Sequence, residues 1–123
     1  MVDKQEPTSE NNHSYYRLYS DGYIIQGGFT SIPANSKDSL RWVYVNFLKL
    51  MFDGNYSVYL TRIDDPGNTY AYTYRTAERY KDGCNLAAYS TAAINGPQLF
   101  CWEVKGMSAQ GPITNYINKY IKF

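Results

Sequence analysis

Acidic residues are the first candidates for chemistry, because a pair of carboxylates can do general acid and base work. In the body of this 123-residue chain nearly every aspartate sits in a turn signal instead: Asp21, Asp53 and Asp82 precede glycine, and Asp64 and Asp65 precede Pro66-Gly67. Aspartate at such positions bonds the local backbone and tolerates turn geometry, so a turn role is favoured over a catalytic one. Glu78 and Glu103 remain. A glycosidase pair would need them to face each other across a sugar, which the sequence does not establish. His13 is the single histidine and has no Cys or His at ligand spacing, so a Ser- or Cys-based triad lacks its base. Cys84 and Cys101 are too few for a disulfide scaffold and are not spaced as a metal knuckle. They are expected to be free, half-buried thiols, as a reducing compartment favours. Gly27-Gly28 follows a strand and opens no helix, so a bulge or a close approach of two backbones is expected there, not a phosphate cradle. No catalytic residue, metal or cofactor is expected, and the protein reads as a non-enzyme.

The whole-chain numbers exclude other classes. A net charge of +1 gives no electrostatic footprint for nucleic acid or an anionic membrane. No apolar run approaches the roughly 18 to 20 residues of a membrane span, and the first residues lack the apolar stretch of a secretory signal, so a soluble, non-exported protein is expected. Fourteen tyrosines against five phenylalanines and two tryptophans give a chain that is 17% aromatic. Tyrosine has an apolar ring and a polar tip, which suits both half-buried sheet faces and wet contact surfaces.

The elements that must position these residues are strands. Turn signals recur at Asp21-Gly22, residues 33–38, Asp53-Gly54, residues 64–68, Asp82-Gly83, residues 95–97 and Gly111-Pro112, with aromatic and β-branched runs between them. That spacing predicts an antiparallel all-β sandwich or barrel. Within the runs the pattern alternates: Tyr56, Val58 and Leu60 share one face, as do Tyr70, Tyr72 and Tyr74, and Phe100, Trp102 and Val104 alternate with Leu99, Cys101 and Glu103. Residues 40–50 are apolar at nearly every position and predict a central strand covered on both sides, with a neighbouring subunit as one source of cover. Residues 1–13 predict a flexible polar arm, residues 14–107 the sandwich, and residues 108–123 a C-terminal extension. In that extension Ile113, Tyr116, Ile117, Tyr120 and Ile121 recur at helical spacing, predicting a short amphipathic helix.

The tyrosine-rich stretch YYRLYSDGYIIQGG, residues 15–28, predicts a hairpin turning at Asp21-Gly22, with Arg17 and Gln26 pairing across it. It resembles the tail-fibre head domains of tailed bacteriophages, which open with W-Y-R-x-Y-S-D-G-W-x-E-Q-G-G. Tyr16, Arg17, Tyr19, Ser20, Asp21, Gly22, Gln26, Gly27 and Gly28 match that pattern, while Tyr15 and Tyr23 stand for its tryptophans and Ile25 for its glutamate. Residues 45–62 and 100–107 are similar to the family's later strands. The resemblance implies a homotrimeric β-sandwich, often of jelly-roll type, exposed on a virion assembled in the bacterial cytoplasm. Either the chain is a stand-alone virion protein or it is a piece of a longer fibre.

The implied function is a receptor-binding tip that adheres to a host surface glycan or protein. The alternative is a head-fibre, capsid-decoration or tail-assembly protein without an essential ligand. Partners are then further copies of the chain and other virion proteins held through the arm or the helix, with no nucleic acid and no membrane insertion. Candidate binding residues are the loop residues Asp64, Asp65, Asn68, Tyr80 and Lys81 with the row Tyr70, Tyr72 and Tyr74, although that row serves equally as core or as a subunit interface.

Overall fold

Alternation along the last strand sets the architecture. In residues 98–107 Phe100, Trp102 and Val104 are buried while the residues between them are not, so one face of the strand belongs to a core and the other does not. The computed structural model describes residues 1–32, 39–63, 72–90 and 98–111. They form β1 (Asp3–Gln5), a 3₁₀ turn (Ser9–Asn11), β2 (Tyr15–Leu18), β3 (Tyr23–Ile32), β4 (Ser39–Asn46), β5 (Ser57–Arg62), β6 (Tyr72–Arg79), β7 (Gly83–Ser90) and β8 (Gln98–Met107). A five-stranded sheet runs in the order β1-β2-β3-β8-β5 and a three-stranded sheet in the order β4-β7-β6. All the pairings are antiparallel. One core joins the two sheets: Tyr16, Leu18, Ile24, Ile32, Phe100, Trp102 and Val104 from the first meet Val45, Cys84, Leu86 and Ala88 from the second. Each large aliphatic or aromatic side chain so buried contributes about 1.5 to 3 kcal/mol. The molecule is thus an all-β antiparallel sandwich, and among the described residues there is no α-helix. The expected C-terminal helix falls on residues 112–123, outside the described residues.

The hairpin at Asp21-Gly22 forms as expected. Tyr19 N–H donates to the Tyr23 carbonyl and Gly22 N–H to the Tyr19 carbonyl, both at 2.9 Å, and the Asp21 carboxylate accepts from Tyr23 N–H. Three residues make the loop, with Gly22 at φ 89°, the left-handed position that such loops require. A Cβ at Gly22 would lie 2.4 Å from the Gly111 carbonyl carbon, so the turn also packs on the chain leaving β8. The cross-strand pairing differs from expectation. Tyr16, not Arg17, stands opposite Gln26, and Arg17 stands opposite Ile25. The reason is the pleat: Tyr16 and Gln26 both point into the core, and Arg17 points out.

Two further expectations are corrected. Residues 40–50 are not a central strand: β4 pairs with β7 alone among the described strands and ends at Asn46, and its outward residues Leu40 and Trp42 are 41% and 46% exposed. The polar N-terminal segment joins the sheet as β1, in register Asp3 to Leu18, Lys4 to Arg17 and Gln5 to Tyr16. Side chains fasten it: the Tyr16 hydroxyl donates to Asp3 at 2.9 Å and the Gln5 amide to the Ser14 carbonyl at 3.2 Å. Thr8 and Asn11 exchange side-chain to backbone bonds in a capping box that closes the turn after it.

Candidate functional site

The residues expected to bind do not assemble into one site. Asp64, Asp65, Asn68 and Tyr70 lie outside the described residues. Tyr72 and Tyr74 stand on β6, in register with Ser90 and the buried Ala88. Tyr80 and Lys81 are exposed in the turn between β6 and β7, but their carbonyls are occupied by the fold, accepting from the Tyr56 hydroxyl at 2.8 Å and from Met51 N–H at 2.8 Å. Tyr80 lies 6.3 Å from Tyr44, whose hydroxyl donates to Asp82 at 2.6 Å. Burial and that bond to a carboxylate push the Tyr44 phenol up to about 12.

The residues of the hairpin motif divide between core and surface. Gln26 is fully buried and behaves as a piece of strand backbone: its amide nitrogen donates to the Lys49 carbonyl at 2.8 Å and its amide oxygen accepts from Lys49 N–H at 3.1 Å. That bond pair ties the connection after β4 to the five-stranded sheet, and satisfies an amide whose burial would otherwise cost several kcal/mol, about 1 to 3. Tyr16 supports the same place, with the Lys49 ammonium 5.0 Å over its ring. Tyr19, Ser20 and Asp21 build the turn.

What the fold assembles instead is a row across the outer face of the five-stranded sheet. The register aligns Tyr15 on β2, Gly27 on β3, Glu103 on β8 and Tyr59 on β5. Gly27 leaves a notch in the middle. A Cβ there would lie 2.3 Å from the Trp102 carbonyl oxygen and 2.7 Å from the Tyr15 hydroxyl, so only glycine lets the Tyr15 side chain lie across β3. The expected close approach of backbones is therefore real, and it has a use: the Tyr15 hydroxyl reaches over the notch and donates to the Glu103 carboxylate. Burial, then the bond to Glu103, holds the Tyr15 phenol well above its ordinary 10.0. Lys105 lies 3.6 Å from the other Glu103 oxygen and 5.1 Å over the Tyr59 ring, and Arg17 lies 5.8 Å over the Tyr15 ring.

The next row, Phe29, Cys101 and Thr61, extends the notch into a groove of about 290 Å³. The segment before β2 packs on Phe29 of this row. The Asn12 amide donates to the Phe29 carbonyl at 2.9 Å, and the His13 ring stacks 4.3 Å from Phe29. Asn12 and His13 both adopt left-handed backbone, at φ 59° and 57°. Histidine takes that conformation at some cost, and the contacts to Phe29 hold it there.

The groove holds one carboxylate between two phenol rings, with cations at its rim. That arrangement can accept hydrogen bonds and offer flat apolar surface. Glu78, the other acid outside a turn, lies exposed on β6 of the opposite sheet, where it accepts from Asn85 at 3.1 Å. Among the described residues no three of His, Cys, Asp and Glu come together as a metal site, and no helix is long and apolar enough to cross a membrane. Tyr15 and Tyr59 were not singled out by sequence. The signals that did exist were Glu103, an acid outside the turns, and the glycine pair.

No family model matches the sequence, and no curated protein matches it. Two solved structures are similar. One is the P. aeruginosa R1 pyocin fiber comprising C-terminal residues 323–701, at TM-score 0.59 and 11% identity over 76% of this chain; the chain spans only 26% of that one. Another is an N-truncated R1-type pyocin tail fiber, at TM-score 0.59 and 12% identity over 85% of this chain and 86% of the other. At such identity the likeness establishes the fold, an antiparallel β-sandwich shared with these fibre chains.

Proposed function

We propose that the protein is a fibre component of a phage or phage-tail-like particle, assembled in the bacterial cytoplasm, whose sandwich adheres to a glycan or protein on the host cell surface. The observation that carries this function is the groove between Tyr15 and Tyr59, a wet aromatic site built on rigid strands. The fold shared with pyocin fibre chains and the hairpin motif at residues 15–28 support it. The proposed role is binding, with Glu103 as the carboxylate that the groove presents. The sandwich is of jelly-roll type, in keeping with β3-β8-β5 lying opposite β4-β7-β6 and with chain crossings between sheets at β3–β4, β4–β5, β5–β6 and β7–β8.

A homotrimer completes the particle component. Leu40, Trp42, Tyr44 and Tyr89 are exposed together on the outer face of the three-stranded sheet, and another copy of the chain is the natural cover for them. The same face favours the second function, a head-fibre, decoration or assembly protein, in which a different virion protein covers it. Purified protein mixed with bacterial cells decides between them. Saturable adsorption, removed by stripping the cell surface of glycan or protein, is expected; a folded protein that adsorbs to no cell assigns it to the structural role.

A further inference from the structure

Glu103 sits at the centre of the groove with its side chain 32% exposed, and Tyr59 beside it is 54% exposed. Neither is spent on the core. One Glu103 oxygen already accepts from Tyr15 and the other faces Lys105 at 3.6 Å, so the carboxylate is held in place. A carboxylate has about four acceptor sites, which leaves capacity for two more donors. Two neighbouring hydroxyls on a ring match that geometry. The flanking phenol rings offer flat apolar surface, suited to the C–H face of the same ring, and tyrosine has few rotamers to lose. An anionic sugar would bring its charge against Glu103 and is disfavoured. Resting on the surface-binding function above, we infer that the groove is a binding site for an uncharged hexose of a bacterial surface glycan, with Glu103 taking vicinal hydroxyls and Tyr59 stacking on the pyranose ring.

The test uses the full chain and a panel of neutral oligosaccharides containing glucose, galactose or mannose, with sialylated and phosphorylated oligosaccharides beside them. Saturation-transfer NMR detects binding, and cell adsorption is measured on the same preparations. A neutral hexose is expected to bind, with affinity falling about tenfold or more in Tyr59→Ala and in Glu103→Gln. Tyr59→Trp is expected to retain binding, and Glu78→Gln, exposed on the opposite sheet, to leave it unchanged. Tyr59 is exposed, so its variants test the site without unfolding the protein. Binding that survives both Tyr59→Ala and Glu103→Gln, or that selects acidic sugars, overturns the site while leaving surface adhesion intact. Adsorption to cells without binding of any neutral sugar does the same. A protein that binds neither cells nor sugars overturns both.

Discussion

The two sheets turn opposite characters outward. On the five-stranded sheet the outer row Tyr15, Gly27, Glu103 and Tyr59 mixes rings, a gap and a charge, with Tyr15 and Lys105 against the Glu103 carboxylate. On the three-stranded sheet the outer residues of β4 are Leu40, Trp42 and Tyr44, with Tyr89 of β7 directly opposite Leu40. Ala87, which alternates with the core residues Leu86 and Ala88, is fully covered on that outer side, where Trp42 and Arg75 flank it in the register. Both faces obey the same period of two, so alternation alone does not decide what an outward face is for. Chemistry does. A face of paired polar groups around a notch suits a small polar ligand, whereas a contiguous apolar face at a sheet edge suits a second protein surface.

The sharpest way to break this contrast is to fill the notch. Gly27→Val would push a branched side chain against the Trp102 carbonyl and the Tyr15 hydroxyl, both of them nearer than a Cβ can approach. We expect a loss of about 3 kcal/mol, the upper end of overpacking costs, read from denaturant unfolding. Unchanged stability would mean that Tyr15 does not lie across Gly27, and the row would lose its centre.

On the other face the expected change is in assembly. Trp42→Asp places a charge in the middle of the apolar stripe at a side chain that is 46% exposed and outside the core joining the two sheets, so the sandwich should stay folded. Sedimentation should show a homotrimer for the unaltered protein and a monomer for the variant, with the same sheet signal in circular dichroism. An unaltered protein that is a monomer at micromolar concentration removes the assembly role from this face.

Much of the sandwich is legible in sequence because burial on one side writes a period of two. Phe100, Trp102 and Val104 are read as sharing one face on that ground, and theirs is the face that is buried. β4 misleads for a physical reason: its outward residues Leu40, Trp42 and Tyr44 are apolar although exposed, so among the described strands an edge strand has the same continuous apolar run as a central one. β1 is hidden because its three residues, Asp3, Lys4 and Gln5, carry no apolar pattern and join the sheet through backbone pairing and the Tyr16–Asp3 bond. The groove is harder still. Glu103 and Gly27 are conspicuous singly, but the row needs β2, β3, β8 and β5 side by side, and that lateral order is a property of topology, not of any local stretch.

The smallest effect expected separates the sheets by pH. Cys84 enters the core from the three-stranded sheet, and burial pushes its thiol from an ordinary 9.0 up to about 12, with Arg79 pulling weakly the other way. Tyr56 in the core and Tyr15 on the five-stranded sheet are also raised, in both cases by burial first. Each of these groups is neutral in the folded protein and ionises more easily once unfolded, so each favours unfolding as pH rises and is silent in acid. The Cys84 contribution is fully present below about pH 9 and is lost progressively from there to about pH 12, and those of the tyrosines are lost from about pH 10 upward. Unfolding midpoints measured across that range should fall steadily. Burial raises the Cys101 thiol from 9.0 as well, so Cys84→Ala and Cys101→Ala together remove the groups that titrate first, and because the tyrosines ordinarily titrate at 10.0 the fall should then begin about one pH unit later. Tyr15→Phe should leave the onset where it is and shallow the fall above it. If Cys84→Ala in a Cys101→Ala background leaves the onset unmoved, the thiol of β7 is not buried in the core that joins the two sheets.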